Sequence, residues 1–153
     1  MSGIALQLEH SIDAEVSPEF AWKYRTDVTN WNDPPARFVL DGPFMPGSQG
    51  TTLLPGQQPL HWSIREVRPP EGFVLEMQLD NALLTFEWRF EALSERNIRM
   101  TQTIVLSGDN AAAYAEQVHA GFSPGLAEGM RRIATEMAAA ESRTSPYRGL
   151  TCG

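Results

Sequence analysis

Residues 73–106 read FVLEMQLDNALLTFEWRFEALSERNIRMTQTIVL, and their alternation decides the fold. Phe73, Leu75, Met77 and Leu79 share one parity, against Val74, Glu76, Gln78 and Asp80 on the other. After a turn at Asn81 to Leu83, the next run sets Leu84, Phe86, Trp88 and Phe90 against Thr85, Glu87, Arg89 and Glu91. The third, Asn97 to Leu106, sets Ile98, Met100, Gln102, Ile104 and Leu106 against Arg99, Thr101, Thr103 and Val105. Successive side chains of a strand point to opposite faces, so each run predicts a strand with one buried and one wet face. The short connections predict a meander of hairpins. Such a sheet needs a cover for its apolar face.

Working outward, Leu60 to Val67 is a fourth strand, ended by Pro69-Pro70 and Gly72. Thr51 to Leu54 and Arg37 to Phe44 are two more, with Gly42-Pro43, Gly47 and Gly50 framing the turn between them. Ile4 to Asp13 alternates in the same way and opens the chain. Ser17-Pro18-Glu19 starts a helix running to about Thr26, with Ser as N-cap, Pro at the first helical position and an acid near the positive end of the dipole. A second short helix or turn covers Asp27 to Trp31, and Asp33-Pro34-Pro35 stops it. Downstream, a helical stretch from about Asn110 to Glu141 is long enough to cover the sheet, with Asp109 or Asn110 as its cap. Pro124 divides it into Ala111 to Ala120 and a second piece with Ser123 as N-cap. Val118, Phe122, Leu126, Met130, Ile133 and Met137 form its apolar stripe at steps of three and four. Gly121, Gly125 and Gly129 form another stripe, where the backbone is expected to pack closely on the sheet or to meet a ligand. The prediction is an α+β fold: a seven-stranded antiparallel curved sheet wrapped around a long C-terminal helix, with two short helices between strands 1 and 2. Residues 1–141 form one domain, and 142–153 a flexible tail.

Composition excludes several classes. The balance of 42% apolar and 20% charged residues is globular. No apolar run is long enough to span a bilayer. The opening residues carry no basic n-region or apolar h-region, so a cytoplasmic protein is expected. A net charge of −7, with no cluster of Lys and Arg, argues against nucleic acid. Cys152 is the sole cysteine and sits next to the last residue, so neither an internal disulfide nor a thiolate zinc site is expected. His10, His61 and His119 fall on different elements, and no metal or other cofactor is expected. No Gly-x-Ser-x-Gly is present, and Gly47-x-x-Gly50 does not open a helix as a phosphate loop would.

The concave face set by alternation holds Leu40, Trp62, Ile64, Leu75, Met77, Phe86, Trp88, Phe90 and Met100, with Phe122, Leu126 and Met130 opposite. These residues make a core, or the lining of an apolar pocket. Aromatic and methionine side chains on one face suit an irregular ligand, and pockets are mostly apolar with a few placed polar groups. A cavity bordered by Trp62, Trp88 and Phe122 is expected, with Trp31 and the Gly47 to Pro59 region at its mouth. The polar groups are His10 and Gln102, both inward by alternation, and Glu66, in phase with Trp62 and Ile64. His10 is either a satisfied core residue or a proton acceptor. Gln102 needs hydrogen-bond partners, which a ligand could supply. Glu66 is either a buried acid of raised pKa or an exposed carboxylate beside Arg65 or Arg68, with Val67 taking its inward place.

This order of elements resembles the START/Bet v 1-like superfamily, the helix-grip fold often grouped as SRPBCC. The resemblance covers about residues 5–141. It rests locally on Glu9-His10-Ser11-Ile12 leading to Ser17-Pro18-Glu19, on Trp31, and on Leu40-Asp41-Gly42-Pro43-Phe44 with Gly47 and Gly50 behind it. These stretches are similar to bacterial members described as polyketide cyclase/dehydrase-like. The resemblance implies binding of a small hydrophobic or aromatic molecule, lipid- or polyketide-like, by a monomer or homodimer. The alternative is a polyketide cyclase or dehydratase in which His10 or Glu66 moves protons. A third class, a protein-interaction module related to chaperone activators, would need an exposed apolar patch on the convex face, where Glu76, Gln78, Glu87, Arg89 and Arg99 are read instead.

Overall fold

The computed structural model describes residues 3–31 and 33–144. Among them, seven strands form one antiparallel sheet: β1 (Ile4–Ala14), β2 (Arg37–Asp41), β3 (Gln49–Leu53), β4 (Leu60–Arg68), β5 (Gly72–Leu79), β6 (Ala82–Ser94) and β7 (Asn97–Ser107). The spatial order is β1-β7-β6-β5-β4-β3-β2. The chain therefore starts at one edge, crosses to the other through α1 (Pro18–Arg25) and a 3₁₀ turn (Val28–Asn30), and meanders back. A second 3₁₀ turn (Ala111–Ala113), α2 (Ala115–Phe122) and α3 (Leu126–Thr144) follow. α3 packs on β1 and touches α1.

Local chemistry explains the boundaries. Ser17 Oγ accepts from the Phe20 amide, with Pro18 at the first helical position, so α1 begins where its cap dictates. The Glu141 carboxylate of α3 accepts from Ser17 N–H at 2.9 Å and from Ser17 Oγ–H at 2.5 Å, joining the two helices. β2 stops at Asp41, short of the expected Phe44, because Gly42 turns the chain at φ +115°. The following loop is closed by Ser48 Oγ donating to the Pro43 carbonyl.

Three expectations for the closing helix change. Asn110 does not cap by its side chain; it donates to the Asp80 carbonyl and ties the helix start to the β5–β6 turn. Ser123 is helical rather than extended, so Pro124 produces a turn between α2 and α3 instead of a newly capped start. A Cβ at Gly121, Gly125 or Gly129 would meet nothing within 4 Å, so this stripe does not approach the sheet. Packing is supplied by Val118, Met130, Ala134 and Met137, all buried. α3 continues to Thr144, three residues past the expected end of the domain, and the rest of the expected tail lies outside the described residues.

The buried apolar residues form two clusters. One gathers Trp62, Ile64, Phe73, Leu75, Trp88, Phe90, Met100, Met130 and Met137 around Val16 and Ala21. The other gathers Ala82, Leu84, Ile104, Leu106, Ala111 and Val118. Met77, Phe86 and Leu126 pack against both and are only partly buried. The convex face is polar. Arg68 pairs with Glu66 and Glu87, Arg89 with Glu9, Arg99 with Asp13, and Arg65 with Glu76. Pairs this exposed add little stability but keep the face wet.

Candidate functional site

An aromatic wall stands on the β2–β5 half of the concave face. Gly50 on β3 pairs with Trp62 on β4. A Cβ at Gly50 would lie 2.3 Å from the Trp62 ring, so the missing side chain is what lets the indole lie across β3. Trp62 Nε1 donates to Thr52 Oγ1 at 3.0 Å. Trp31 stacks on Trp62 at 5.6 Å and meets Phe38 and Phe44 edge-on. Phe44 stands edge-on to Phe73, which stacks on Trp88. Trp31 Nε1 donates to the Arg25 carbonyl at 2.8 Å, locking the wall to the end of α1.

The Arg25 side chain enters this wall. Its guanidinium carbon lies 4.5 Å from the Trp88 ring centroid and 5.3 Å from that of Trp31. Arg25 is 5% exposed and is the one buried charged side chain among the described residues. Its Nε is fully buried with no hydrogen-bond partner. Burial pulls the guanidinium down to about 10, against the opposing pull of Tyr24 and Glu136, so it remains a cation at neutral pH. Burial and Glu136 push the Tyr24 hydroxyl the other way, upward.

Beside the wall, the middle of the concave face stays accessible. On β6, Phe86 is half-buried between buried Leu84 and Trp88. On β7, Gln102 is half-buried between buried Met100 and Ile104. Gln102 pairs in register with Trp88 on one side and His10 on the other. Phe122 of α2, 36% exposed, meets Phe86 edge-on at 5.4 Å. With Met77 and Leu126 these residues leave a strip of partly accessible side chains between sheet and helices, here called the groove. His10 is half-buried on the inner side of β1, and its ring makes no hydrogen bond to the described residues.

The expected site residues therefore separate. Trp62, Ile64, Leu75, Trp88, Met100 and Met130 are buried core. His10, Trp31, Leu40, Met77, Phe86, Gln102 and Leu126 retain partial access. The expected cavity bordered by Trp62 and Trp88 is not open at that end, because Arg25 and Trp31 fill it. Glu66 is not in the site. A bulge between Ile64 and Glu66 shifts the parity of β4, so Val67 turns inward and Glu66 pairs with Arg68 Nε at 2.8 Å on the surface. A cleft of about 600 Å³ does exist elsewhere, at the sheet rim, lined by Pro18, Arg68, Pro70, Glu71, Arg89, Phe90, Glu91, Ala92 and Ile98. Its lining is mixed in charge and meets the side chains of the concave face only at Phe90 and Ile98. Among the described residues no three His, Cys, Asp or Glu side chains converge as metal ligands. No helix there is long and apolar enough to cross a membrane.

Sequence reasoning missed Arg25 and the role of Gly50. Helical spacing carried a signal for the first: Ala21, Arg25 and Val28 lie on one stripe, and all three are buried. The signal for Gly50 needed the β3–β4 register.

No protein-family model and no curated protein sequence matches the chain. Solved structures do. Norcoclaurine synthase from Thalictrum flavum, solved with a transition-state analogue, superposes with TM-score 0.72 at 10% identity, covering 93% of this chain and 99% of that one. The Zhui aromatase/cyclase from Streptomyces sp. R1128 gives TM-score 0.67 at 13% identity, covering 92% and 96%. Ara h 8.0201 gives 0.68 at 12%, covering 90% and 99%. The chain has the helix-grip fold of the START/Bet v 1-like proteins. At such identities the likeness carries the fold and not the activity.

Proposed function

We propose that this protein binds a small aromatic or hydrophobic molecule in the groove between the sheet and the α2–α3 helices. One observation carries the reading. Met77 and Phe86 on the sheet and Leu126 at the start of α3 pack against both buried clusters, yet are only partly buried, although they lie on the face that a core should close. Accessible apolar side chains rimmed by a few polar groups, here Gln102 and His10, are the makings of a small-molecule site. The neighbours named above, one a synthase and one an aromatase/cyclase, supply the ligand class by analogy. The test is titration with the neutral dye N-phenyl-1-naphthylamine, following its fluorescence and the quenching of tryptophan. Binding is expected, and Leu126→Trp, which fills the groove, should weaken it about tenfold or more. Unchanged affinity in Leu126→Trp would put the dye elsewhere, for instance in the rim cleft, and end this reading.

The alternative is a cyclase or dehydratase acting on a polyketide-like substrate. It is favoured by the half-buried His10 ring, which has no hydrogen bond to the described residues and stands opposite Gln102. A neutral imidazole so placed can take a proton from a substrate held over Phe86. His10→Gln should then lower turnover of a poly-β-ketone by about 10²-fold while leaving dye affinity within a few-fold. Unchanged turnover removes His10 as the base. Glu66, on the surface with Arg68, has no part in either scheme.

A further inference from the structure

Arg25 is placed where a core side chain belongs, and its buried Nε has no acceptor among the described residues. Its guanidinium lies against the rings of Trp88 and Trp31, which satisfy its faces. The N–H groups point outward in the guanidinium plane and need oxygen acceptors. Among the described residues no carboxylate lies within ion-pair distance of Arg25, Glu136 acting on it only from further off, and its buried Nε has no hydrogen-bond partner. Burying a cation without an in-plane acceptor is costly, and in a chain of net charge −7 there is no shortage of carboxylates that could have been placed there. Three contacts hold the group in position. Trp31 Nε1 is bonded to the Arg25 carbonyl, Asn30 Nδ2 to the Tyr24 carbonyl, and Ser17 to Glu141 at the far end of α1. Trp88, directly beneath the guanidinium, pairs with half-buried Gln102 and is two residues from Phe86, so the cation borders the groove.

We propose that Arg25 is the acid-recognition element of the groove, so that the natural ligand is an aromatic or unsaturated carboxylate whose planar anion docks edge-on to the guanidinium from the groove side. The inference rests on the binding reading given above and narrows its ligand class. A carboxylate matches the fork of guanidinium donors in geometry and charge. The flanking indoles shield the pair from water, which strengthens it.

The test uses two probes of one shape, 2-naphthoate and 2-naphthamide, titrated into the full chain with tryptophan fluorescence as readout. The acid should bind about tenfold or more tightly than the amide, the scale of a charge-assisted hydrogen bond. Arg25→Met should abolish that preference and leave the amide within about threefold, because the apolar contacts remain. Arg25→Lys, which keeps charge without the fork, should retain only part of the preference; this variant also serves if Arg25→Met fails to fold by circular dichroism. Equal affinity for acid and amide overturns the role of Arg25 and leaves the groove standing. A preference that survives in Arg25→Met assigns it to another cation and overturns the proposal equally. Binding of neither probe ends both readings.

Discussion

Arg25 and Gly50 show how single side chains set this site. The Arg25 guanidinium is charged in both the folded and the unfolded chain at any pH below about 10. Its folded pKa is below its unfolded one, so the unfolded state holds the extra proton only above that value, and stability rises with pH only there. At working pH the burial penalty is present in full. Replacing a buried charge by an apolar side chain of similar length is often stabilising by about 1–3 kcal/mol, and Met also makes good contacts with aromatic rings. Arg25→Met is therefore expected to raise the melting temperature by several degrees. A melting temperature that falls would mean the two cation–π contacts outweigh the desolvation. Gly50 acts in the opposite sense. Its Cβ would lie 2.3 Å from the Trp62 ring, and a rigid indole cannot give locally. In Gly50→Ala the indole must swing off β3, losing the bond to Thr52 and the stack on Trp31. A loss of about 1–3 kcal/mol and a changed tryptophan emission are expected in urea denaturation.

At the scale of elements, the two ends of the chain hold each other. α1 carries Arg25 into the concave face, and its N-terminus is bound by Glu141 near the end of α3. Glu141→Gln keeps the size but loses the charge that strengthens both bonds. A cost of about 1–2 kcal/mol is expected, with faster hydrogen exchange at the Ser17 amide. Exchange unchanged at Ser17 would show that α1 is held by its apolar face alone. β4 gives the contrasting case. Its first half obeys alternation, with Trp62 and Ile64 inward, and its second half reverses through a bulge that puts Glu66 outside and Val67 inside. One extra residue in a strand is enough to move a carboxyl from the concave face to a surface ion pair.

For the whole molecule, the division of the core into two clusters matters most. A continuous core would bury Phe86; here the seam between the clusters falls on Met77, Phe86 and Leu126. A ligand filling that seam binds the folded state alone, so it must stabilise the fold by mass action. At a free concentration about 100 times its dissociation constant, 2-naphthoate should add about 2.7 kcal/mol to the unfolding free energy. In a domain of this length that is a rise of roughly 5–10 °C, read by thermal denaturation. The groove reading fails at this scale if the probe binds tightly yet leaves the melting temperature where it was.

What the amino-acid order determined alone is everything carried by local periodicity. Seven strands, the capped first helix, the polar convex face and the inward parity of Phe86, Trp88, Met100 and Gln102 all follow from period-2 or period-3.6 patterns and capping chemistry. These signals need only neighbours in the chain. Tertiary structure alone decided which inward residues are sealed and which are open. Leu84 and Phe86 share a parity and an apolar character, yet one is buried and the other accessible. The difference lies in where α2 and α3 cross the sheet, and no local pattern encodes that. The same holds for the bulge at Glu66, for Gly50 beneath an indole twelve residues further along the chain, and for Arg25. A charged residue on an apolar helical stripe is visible as an irregularity in the sequence, but only the packed structure brings two tryptophans to it and leaves its buried Nε without an acceptor among the described residues, because that arrangement depends on contacts from three separate parts of the chain.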